Sequence, residues 1–367
     1  MRARLLRCSL AGALAITGIA LSAPVAAADP GDKYRIERAL EELVAEGGPP
    51  GAQAVVTERG RTREIARGAG DLRTGKPFPH QARVRIGSNT KVFVATVVLQ
   101  LVAEKKVVLD APIERYLPGV VPNGSRISVR QLLQHTSGLA DYLPVIDPDE
   151  IRWREYGTAE LLKTAMALDP DFEPGTSWAY SNTNYLVVGE LVRKLAGRPV
   201  ATEIDRRILR PLGLTATYYP RPYETGIRGP HPRGYDAGSG ERVDFTVQNP
   251  SYAGAAGAMV GTGEDLNRFF IALLGGRLLP PAQLAEMKRT VPSAAHPGGY
   301  GLGLIRYLTS CGTDVWGHGG SIPGFRTRGG VTADGRAVNV SVNEVVYAPE
   351  ASDNVVKVVD AAVCPRR

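Results

Sequence analysis

Three short clusters carry residue types able to perform acyl transfer: Ser88-Asn89-Thr90-Lys91, Tyr180-Ser181-Asn182 and His318-Gly319-Gly320. A serine hydroxyl is a weak nucleophile at neutral pH, so it needs a neighbouring base or a positive group that favours the alkoxide. The three-residue step in the first cluster returns Lys91 to the face of Ser88 one helical turn later, where a desolvated amine can serve either purpose. The N-terminus of a helix beginning there would add free N–H groups and partial positive charge. Tyr180 and Asn182 follow a Pro174-Gly175 turn and precede a helical pattern, which places a phenol and an amide on a loop. His318 lies in a strand pattern, with Gly319 and Gly320 leaving room for a substrate backbone along the strand edge. A second His-x-Gly, His296-Pro297-Gly298, is rejected as this third cluster because its proline cannot donate to a strand ladder.

Taken singly, each cluster has a plain structural reading: a capping serine, a surface lysine, a core tyrosine, a packed strand histidine. A Ser-x-x-Lys match alone arises about once by chance in a chain of this length. The weight comes from all three occurring in order, each at the element its chemistry requires.

The elements that must position them follow from periodicity. Ile36, Leu40, Leu43 and Val44 predict a first helix over 33–46, ended by Gly47-Gly48-Pro49-Pro50. Residues 52–57 and 63–66 predict strands around Arg59-Gly60, and 83–86 a further strand before Gly87. Residues 89–104 hold Val92, Phe93, Val94, Val97, Val98, Leu99 and Leu101 with hardly any polar face, the mark of a helix buried on all sides. Between about 105 and 245 helical patterns dominate, at 129–134, 159–168, 185–195 and 201–209. Beyond about 250 the strands 300–309, 315–320, 325–332 and 338–345 precede a final helix over 354–363. These patterns predict an α/β fold in which an antiparallel sheet built from 29–104 and 250–367 is flanked by helices, a mostly helical lobe spans 105–249, and the site lies at their junction.

Residues 1–28 read as a secretory signal peptide: Arg2, Arg4 and Arg7, an apolar run from Ser9 to Leu21, and Ala26-Ala27-Ala28 before Asp29. A secreted protein cleaved near Ala28 is expected, with Cys8 inside the removed segment. No later stretch is long and apolar enough to span a bilayer. Cleavage leaves 41 basic against 37 acidic residues, a net charge of +4, and no basic cluster with interleaved aromatics, so no nucleic-acid partner is expected. Cys311 and Cys364 remain. In an oxidising compartment an isolated pair favours a disulfide, two buried thiols being the alternative. Five scattered histidines without His-Glu-x-x-His offer no metal site, and no cofactor is expected.

The set Ser88-x-x-Lys91, Tyr180-x-Asn182 and His318-x-Gly320 resembles the penicillin-recognising serine hydrolases, a family that includes the class C β-lactamases. It is especially similar to the exported D-alanyl-D-alanine carboxypeptidases of actinomycetes. The phrases Arg85-Ile86-Gly87, Ser128-Val129-Arg130-Gln131-Leu132-Leu133, His135-Thr136-Ser137-Gly138-Leu139, Tyr180-Ser181-Asn182-Thr183-Asn184 and Gly301-Leu302-Gly303-Leu304 extend the likeness over nearly the whole mature chain. The resemblance implies a two-lobed β-lactamase/DD-peptidase-like fold and a disulfide like the Cys311–Cys364 pair. It implies that Ser88 attacks the carbonyl, Lys91 and Tyr180 share the proton transfers, Asn182 holds the substrate amide, and backbone N–H groups of Ser88 and Ser321 hold the oxyanion. It further implies that Tyr252 walls the cleft, that β-lactams acylate the enzyme, and that a peptidoglycan stem peptide is the substrate of a monomer.

Two positions depart from the carboxypeptidase pattern. Gly319 stands where those enzymes carry threonine, and Ile305 where they carry an arginine for the substrate's terminal carboxylate. Arg306, Arg326 and Arg328 are candidates to replace that charge, Arg326 and Arg328 lying two apart on one strand face. The His-Gly-Gly form also occurs in related esterases and D-amino-acid peptidases, which are the alternative reading. A β-lactamase fits less well, and a non-catalytic penicillin-binding sensor least.

Overall fold

The computed structural model describes residues 30–238, 240–345 and 349–364; the expected leader over 1–28 lies outside the described residues. Eight strands form one sheet: β1 (Gly51–Glu58), β2 (Arg61–Gly68), β3 (Val291–Ser293), β4 (His296–Tyr300), β5 (Ile305–Leu308), β6 (Asp314–Ile322), β7 (Phe325–Thr332) and β8 (Ala337–Val342). Their order is β2-β1-β8-β7-β6-β5-β4-β3, with every neighbouring pair antiparallel. The first hairpin therefore joins the C-terminal strands through β1 and β8, Ala52 opposite Val342 and Thr57 opposite Ala337.

Five helices frame the site: α1 (Pro30–Leu43), α2 (Thr90–Ala103), α3 (Asn182–Ala196), α4 (Gly263–Leu274) and α5 (Pro349–Val363). Strand β1 is buried along nearly its whole length because both its faces are covered. On one side Ile36, Leu40 and Leu43 of α1 and Val355, Val358 and Val359 of α5 pack over Ala52, Ala54, Val56, Val338, Val340 and Val342. On the other, α4 lies so close that a Cβ on Gly263 would stand 2.7 Å from Val55. The Asn267 amide of α4 donates to the Val55 carbonyl (2.9 Å).

Helix α2 passes through the centre of the protein. Val92 to Leu99 are all buried, and Phe93 stacks on Phe269 of α4 with ring centroids 3.8 Å apart. The short helix Val129–Leu133 begins with a reciprocal cap, Ser128 Oγ accepting from Gln131 N (3.2 Å) and Gln131 Oε1 from Ser128 N (2.8 Å).

Three differences from the periodicity reading have clear causes. The strand expected over 300–309 is two strands, because Gly301-Leu302-Gly303 turns the chain: Gly303 has φ +71°, and its N–H reaches back to Leu133 O (3.0 Å). Helix α4 and the helix Pro281–Met287 occupy a stretch that the sequence assigned to no element. The signal was Thr262, whose hydroxyl caps α4 by accepting from Asp265 N. His296 and Pro297 do lie in a strand, β4, whose pairing with β3 is irregular; Pro297 sits between the paired residues His296 and Tyr300 and costs no ladder bond there.

Cys311 and Cys364 form a disulfide that ties the turn after β5 to the end of α5 across 53 residues. Reducing it is expected to cost about 4 kcal/mol on the chain-entropy account. The check is the urea midpoint of Cys311→Ser/Cys364→Ser against the oxidised protein.

Candidate active site

The nucleophile turn is set by Gly87, whose φ of +49° turns the chain into a 3₁₀ turn, Gly87–Asn89, that leads directly into α2. A side chain at 87 would also strike Ser321, since a Cβ there would stand 2.8 Å from Ser321 N. The turn is stitched by its own side chains: Thr90 Oγ1 donates to Gly87 O (2.8 Å), and Asn89 Nδ2 donates to Ile86 O (3.1 Å) and Thr327 Oγ1 (2.8 Å). Ser88 is thereby held against the open edge of β6, where the pairing with β5 has ended at Gly317 and residues 318–321 are left for a substrate chain.

Lys91, one turn along α2, is fully buried. Its Nζ lies 2.7 Å from Asn182 Oδ1, 2.7 Å from Ala256 O and 3.1 Å from Ser88 Oγ. Desolvation lowers its pKa to about 7, opposed by the attraction of Asp141. In the neutral amine the two N–H bonds point at the two amide oxygens and the lone pair is left for the serine proton. Tyr180 lies beside Ser88, its hydroxyl buried and interacting with the serine side chain. Its ring centroid is 4.8 Å from Lys91 Nζ. Burial pushes its pKa upward. A phenol so placed stays protonated near neutrality, which suits it to pass a proton rather than to act as the resting base.

Asn182 opens α3, and both ends of its side chain are engaged. Oδ1 accepts from Lys91, and Nδ2 donates to Asp141 Oδ2 (2.9 Å), while Asp141 Oδ1 accepts from Asn182 N (3.1 Å). In this geometry its side chain positions Lys91. Asp141, whose pKa burial raises, was not found from the sequence; the only pointer was its place two residues after His135-Thr136-Ser137-Gly138-Leu139.

His318 is held by a directional chain. Ser181 N–H donates to His135 Nδ1 (3.2 Å), which leaves the His135 proton on Nε2 to face Tyr300 Oη (3.2 Å). Tyr300 then donates to His318 Nε2 (3.0 Å), and His318 Nδ1–H points to Gly319 O (2.5 Å). Burial holds both imidazoles neutral, the His318 pKa falling to about 3 and that of His135 well below its ordinary value. The chain fixes the third cluster; His135 falls within one of the family-like phrases and Tyr300 at the start of an expected strand, and neither local pattern reveals this role.

A cavity of about 260 Å³ opens beside Ser88, lined by Trp178, Tyr180, His296, Ile305, Tyr307, the 318–321 edge and Arg326, Thr327 and Arg328. His318, Gly319, Gly320, Ser321 and Arg326 line it together with Ser88. Tyr252 does not line this cavity. It is buried with its hydroxyl on Gln248 Oε1 (3.0 Å), and Trp178 and Tyr307 supply the aromatic walls instead. His296, rejected as a third-cluster residue, still lines the rim from β4. Arg306 is excluded as a replacement clamp because it pairs with Asp314 (2.7 Å). Among the described residues no group of histidine, cysteine and acidic side chains is placed to hold a metal ion, and no helix is long and apolar enough to cross a membrane.

A serine and a half-neutral buried lysine at the mouth of a central helix, facing an open strand edge across a two-lobed α/β fold, define a serine acyl-transfer enzyme. Residues 36–362 match the family described as Beta-lactamase, and the chain belongs to it. Among solved structures it is similar to a D-stereospecific amidohydrolase from Streptomyces sp., with 39% identity over 90% of this chain and 98% of that one and a TM-score of 0.83. It is also similar to the D-amino acid amidase of Ochrobactrum anthropi SV3, with 30% identity, the same coverage and a TM-score of 0.79. Among curated relatives, Esterase EstB of Burkholderia gladioli is 28% identical over 74% of this chain and 78% of its own length. A D-aminopeptidase of Brucella anthropi is 30% identical over 80% of this chain, which spans 56% of that protein. The fold and the serine-hydrolase family are as the sequence implied; the specific likeness to carboxypeptidases is replaced by one to D-amino-acid amidases, D-aminopeptidases and an esterase.

Proposed function

We propose that this protein hydrolyses amide or peptide bonds on the carbonyl side of a D-amino acid through an acyl-enzyme on Ser88. The observation that carries the acyl-transfer step is the environment of Lys91 Nζ, two hydrogens committed to Asn182 and Ala256 and the third direction on Ser88 Oγ. Ser88 Oγ bonds to the carbonyl carbon while its proton passes to Lys91. The oxyanion is taken by the N–H groups of Ser88 and Ser321. As the tetrahedral carbon collapses, the C–N bond breaks and the proton reaches the leaving nitrogen through the Tyr180 hydroxyl. Water then releases the acid by the reverse sequence.

The D-amino-acid preference is supported by the likeness to two D-specific enzymes along nine-tenths of the chain. It also fits the presence of Ile305 and Gly319 at positions where a carboxypeptidase carries its clamp. The test is turnover of D- and L-phenylalaninamide, acetyl-Lys-D-Ala-D-Ala and p-nitrophenyl acetate, with mass spectrometry of the protein before and after mixing with benzylpenicillin. The expected result is a preference for D- over L-phenylalaninamide of roughly 100-fold or more in kcat/KM, with any adduct on Ser88. Ester turnover without amide turnover would assign an esterase instead, and D-alanine release from the acetylated peptide alone would assign a carboxypeptidase.

A further inference from the structure

A second cavity of about 520 Å³, against about 260 Å³ beside Ser88, lies behind the reaction centre and shares no lining residue with the first. Its walls are mainly apolar, from Tyr156, Leu186, Val200, Pro220, Pro250 and Ala255. The acidic side chains on it are already satisfied. Glu155 Oε2 accepts from Asn249 Nδ2 (2.6 Å) and Tyr223 N (3.1 Å), and Glu190 Oε2 pairs with Arg193 (2.6 Å). Ser251 Oγ accepts from Tyr156 N (2.8 Å), and Arg221 stands exposed at the edge. Tyr219 also lines the cavity, and its phenol is enclosed: burial alone raises its pKa, with no hydrogen bond to a described residue offsetting the cost. It is therefore a protonated donor to which no described residue supplies an acceptor.

One wall of this cavity is also a wall of the reaction centre. Gly254, Ala255 and Ala258 line it, while Ala256 between them gives its carbonyl to Lys91 Nζ (2.7 Å) and Met259 N donates to Thr90 Oγ1 (3.2 Å) in the nucleophile turn. The short helix Gly254–Gly257 that forms this wall has little room to shift. A Cβ on Gly189 of α3 would stand 2.7 Å from Ala255 Cβ, and one on Gly254, where φ is +45°, would stand 2.9 Å from Leu186 Cδ2. Its other side lies against the nucleophile turn, where a Cβ on Gly257 would be 3.7 Å from Gly87 C. A single short helix thus separates the two cavities, and closely packed groups pass on a displacement rather than absorb it.

We propose that this cavity is an effector site for an uncharged, mainly apolar molecule with one carbonyl acceptor, held by the Tyr219 hydroxyl and felt at Lys91 through Ala256. The apolar walls match an apolar body. Because Glu155, Glu190 and Arg193 already have partners, a charged ligand would give up its hydration without gaining a counter-charge inside. A carbonyl oxygen supplies the acceptor that Tyr219 lacks. The occupant braces the Gly254–Gly257 helix in the position at which Ala256 O accepts from Lys91, so it acts on the chemical step and not on substrate binding. This rests on Lys91 serving as the base at Ser88, but the binding measurement needs no turnover, and the kinetic one uses whichever of the substrates named above is hydrolysed. If none is, the acyl-transfer reading fails while binding still decides the site.

The full-length protein is titrated calorimetrically with 4-phenyl-2-butanone and with 3-phenylpropanoate, which share the phenylethyl body and differ in ending as a methyl ketone or a carboxylate. The expected result is binding of the ketone roughly tenfold or more tighter than the acid. Tyr219→Phe, which keeps the ring and removes the donor, should weaken the ketone by roughly two- to tenfold. Ala201→Trp, which fills the cavity, should abolish its binding. At saturating ketone kcat should change by about twofold or more with KM unchanged. No binding of the ketone, binding untouched by Tyr219→Phe, or tighter binding of the acid, which would point to Arg221, would overturn the site. An unchanged kcat, or a raised KM that places the ketone beside Ser88, would overturn the coupling. Should Ala201→Trp fail to fold, the response of Tyr219→Phe decides.

Discussion

Replacing Lys91 with methionine is expected to lower kcat/KM by roughly 10³- to 10⁴-fold, the range for removing a positioned base that also activates the nucleophile. The substitution preserves length and apolar bulk in a fully buried position and removes the amine that, on the proposed mechanism, takes the Ser88 proton. It also leaves Asn182 Oδ1 and Ala256 O without their partner, so thermal unfolding is measured in parallel to separate a loss of chemistry from a loss of fold. The wild-type pH profile provides the complementary test. On the proposed mechanism the neutral amine is the active form, and burial lowers its pKa to about 7. Activity is therefore lost as pH falls through that value, by roughly tenfold per unit well below it, and levels off above it. His318 and His135 are neutral throughout this window and should add no inflection there. In Lys91→Met the residual activity should lose the ionisation near 7. A profile that kept the same midpoint would assign the base to another group.

Gly320→Ala is expected to be the most damaging single-methyl change in the cleft. A Cβ at 320 would stand 2.0 Å from Ile86 O and 2.9 Å from Thr327 Oγ1, both parts of the framework that holds the nucleophile turn. Neither can give way cheaply, because Ile86 O accepts from Asn89 Nδ2, and Thr327 Oγ1 accepts from the same amide. The strand edge and Ser88 would have to separate by about 1 Å, a displacement that costs on the order of 10²-fold in rate. The overpacking itself should cost about 1–3 kcal/mol of stability. Gly319→Ala gives the internal contrast. Its nearest neighbour would be Thr327 O at 3.1 Å, which a shift of a few tenths of an ångström relieves, so its loss of stability should be the smaller. Steady-state kinetics and urea midpoints of the two variants, measured side by side, check the order; equal effects would mean that the approach of β6 to Ile86 is not what limits residue 320.

The residues of the reaction centre were legible because their chemistry fixes their spacing. A lysine three residues after a serine at the start of an apolar helix has only one place to go, and it goes there. The buried helix itself was legible because an all-apolar stretch is stable only inside a core, and α2 is inside. Strand β7 was readable over 325–332 because both its ends are marked, by Gly324 before it and by the Asp334-Gly335 turn after it. Helix α4 escaped notice because its capping threonine and its apolar stripe follow directly on a run of small residues that breaks up the period.

The sequence by itself indicated the serine–lysine pair of the site, the enzyme family and the cysteines that close the C-terminal helix onto the sheet, since each depends on residue type and short-range spacing. Only the tertiary structure decided which groups surround them. Asp141 holds Asn182, and Asn182 holds Lys91, across separations of 41 and 91 residues. His135 and Tyr300 hold His318 from two different parts of the chain. Tyr252 went into the core while Trp178 and Tyr307 came to the cleft, and Arg306 was taken by Asp314 while Arg328 was left facing the cavity. The physical reason is common to all of these. A buried polar group is satisfied by whichever partner the packing of distant elements brings within about 3 Å, and no local pattern along the chain encodes that meeting.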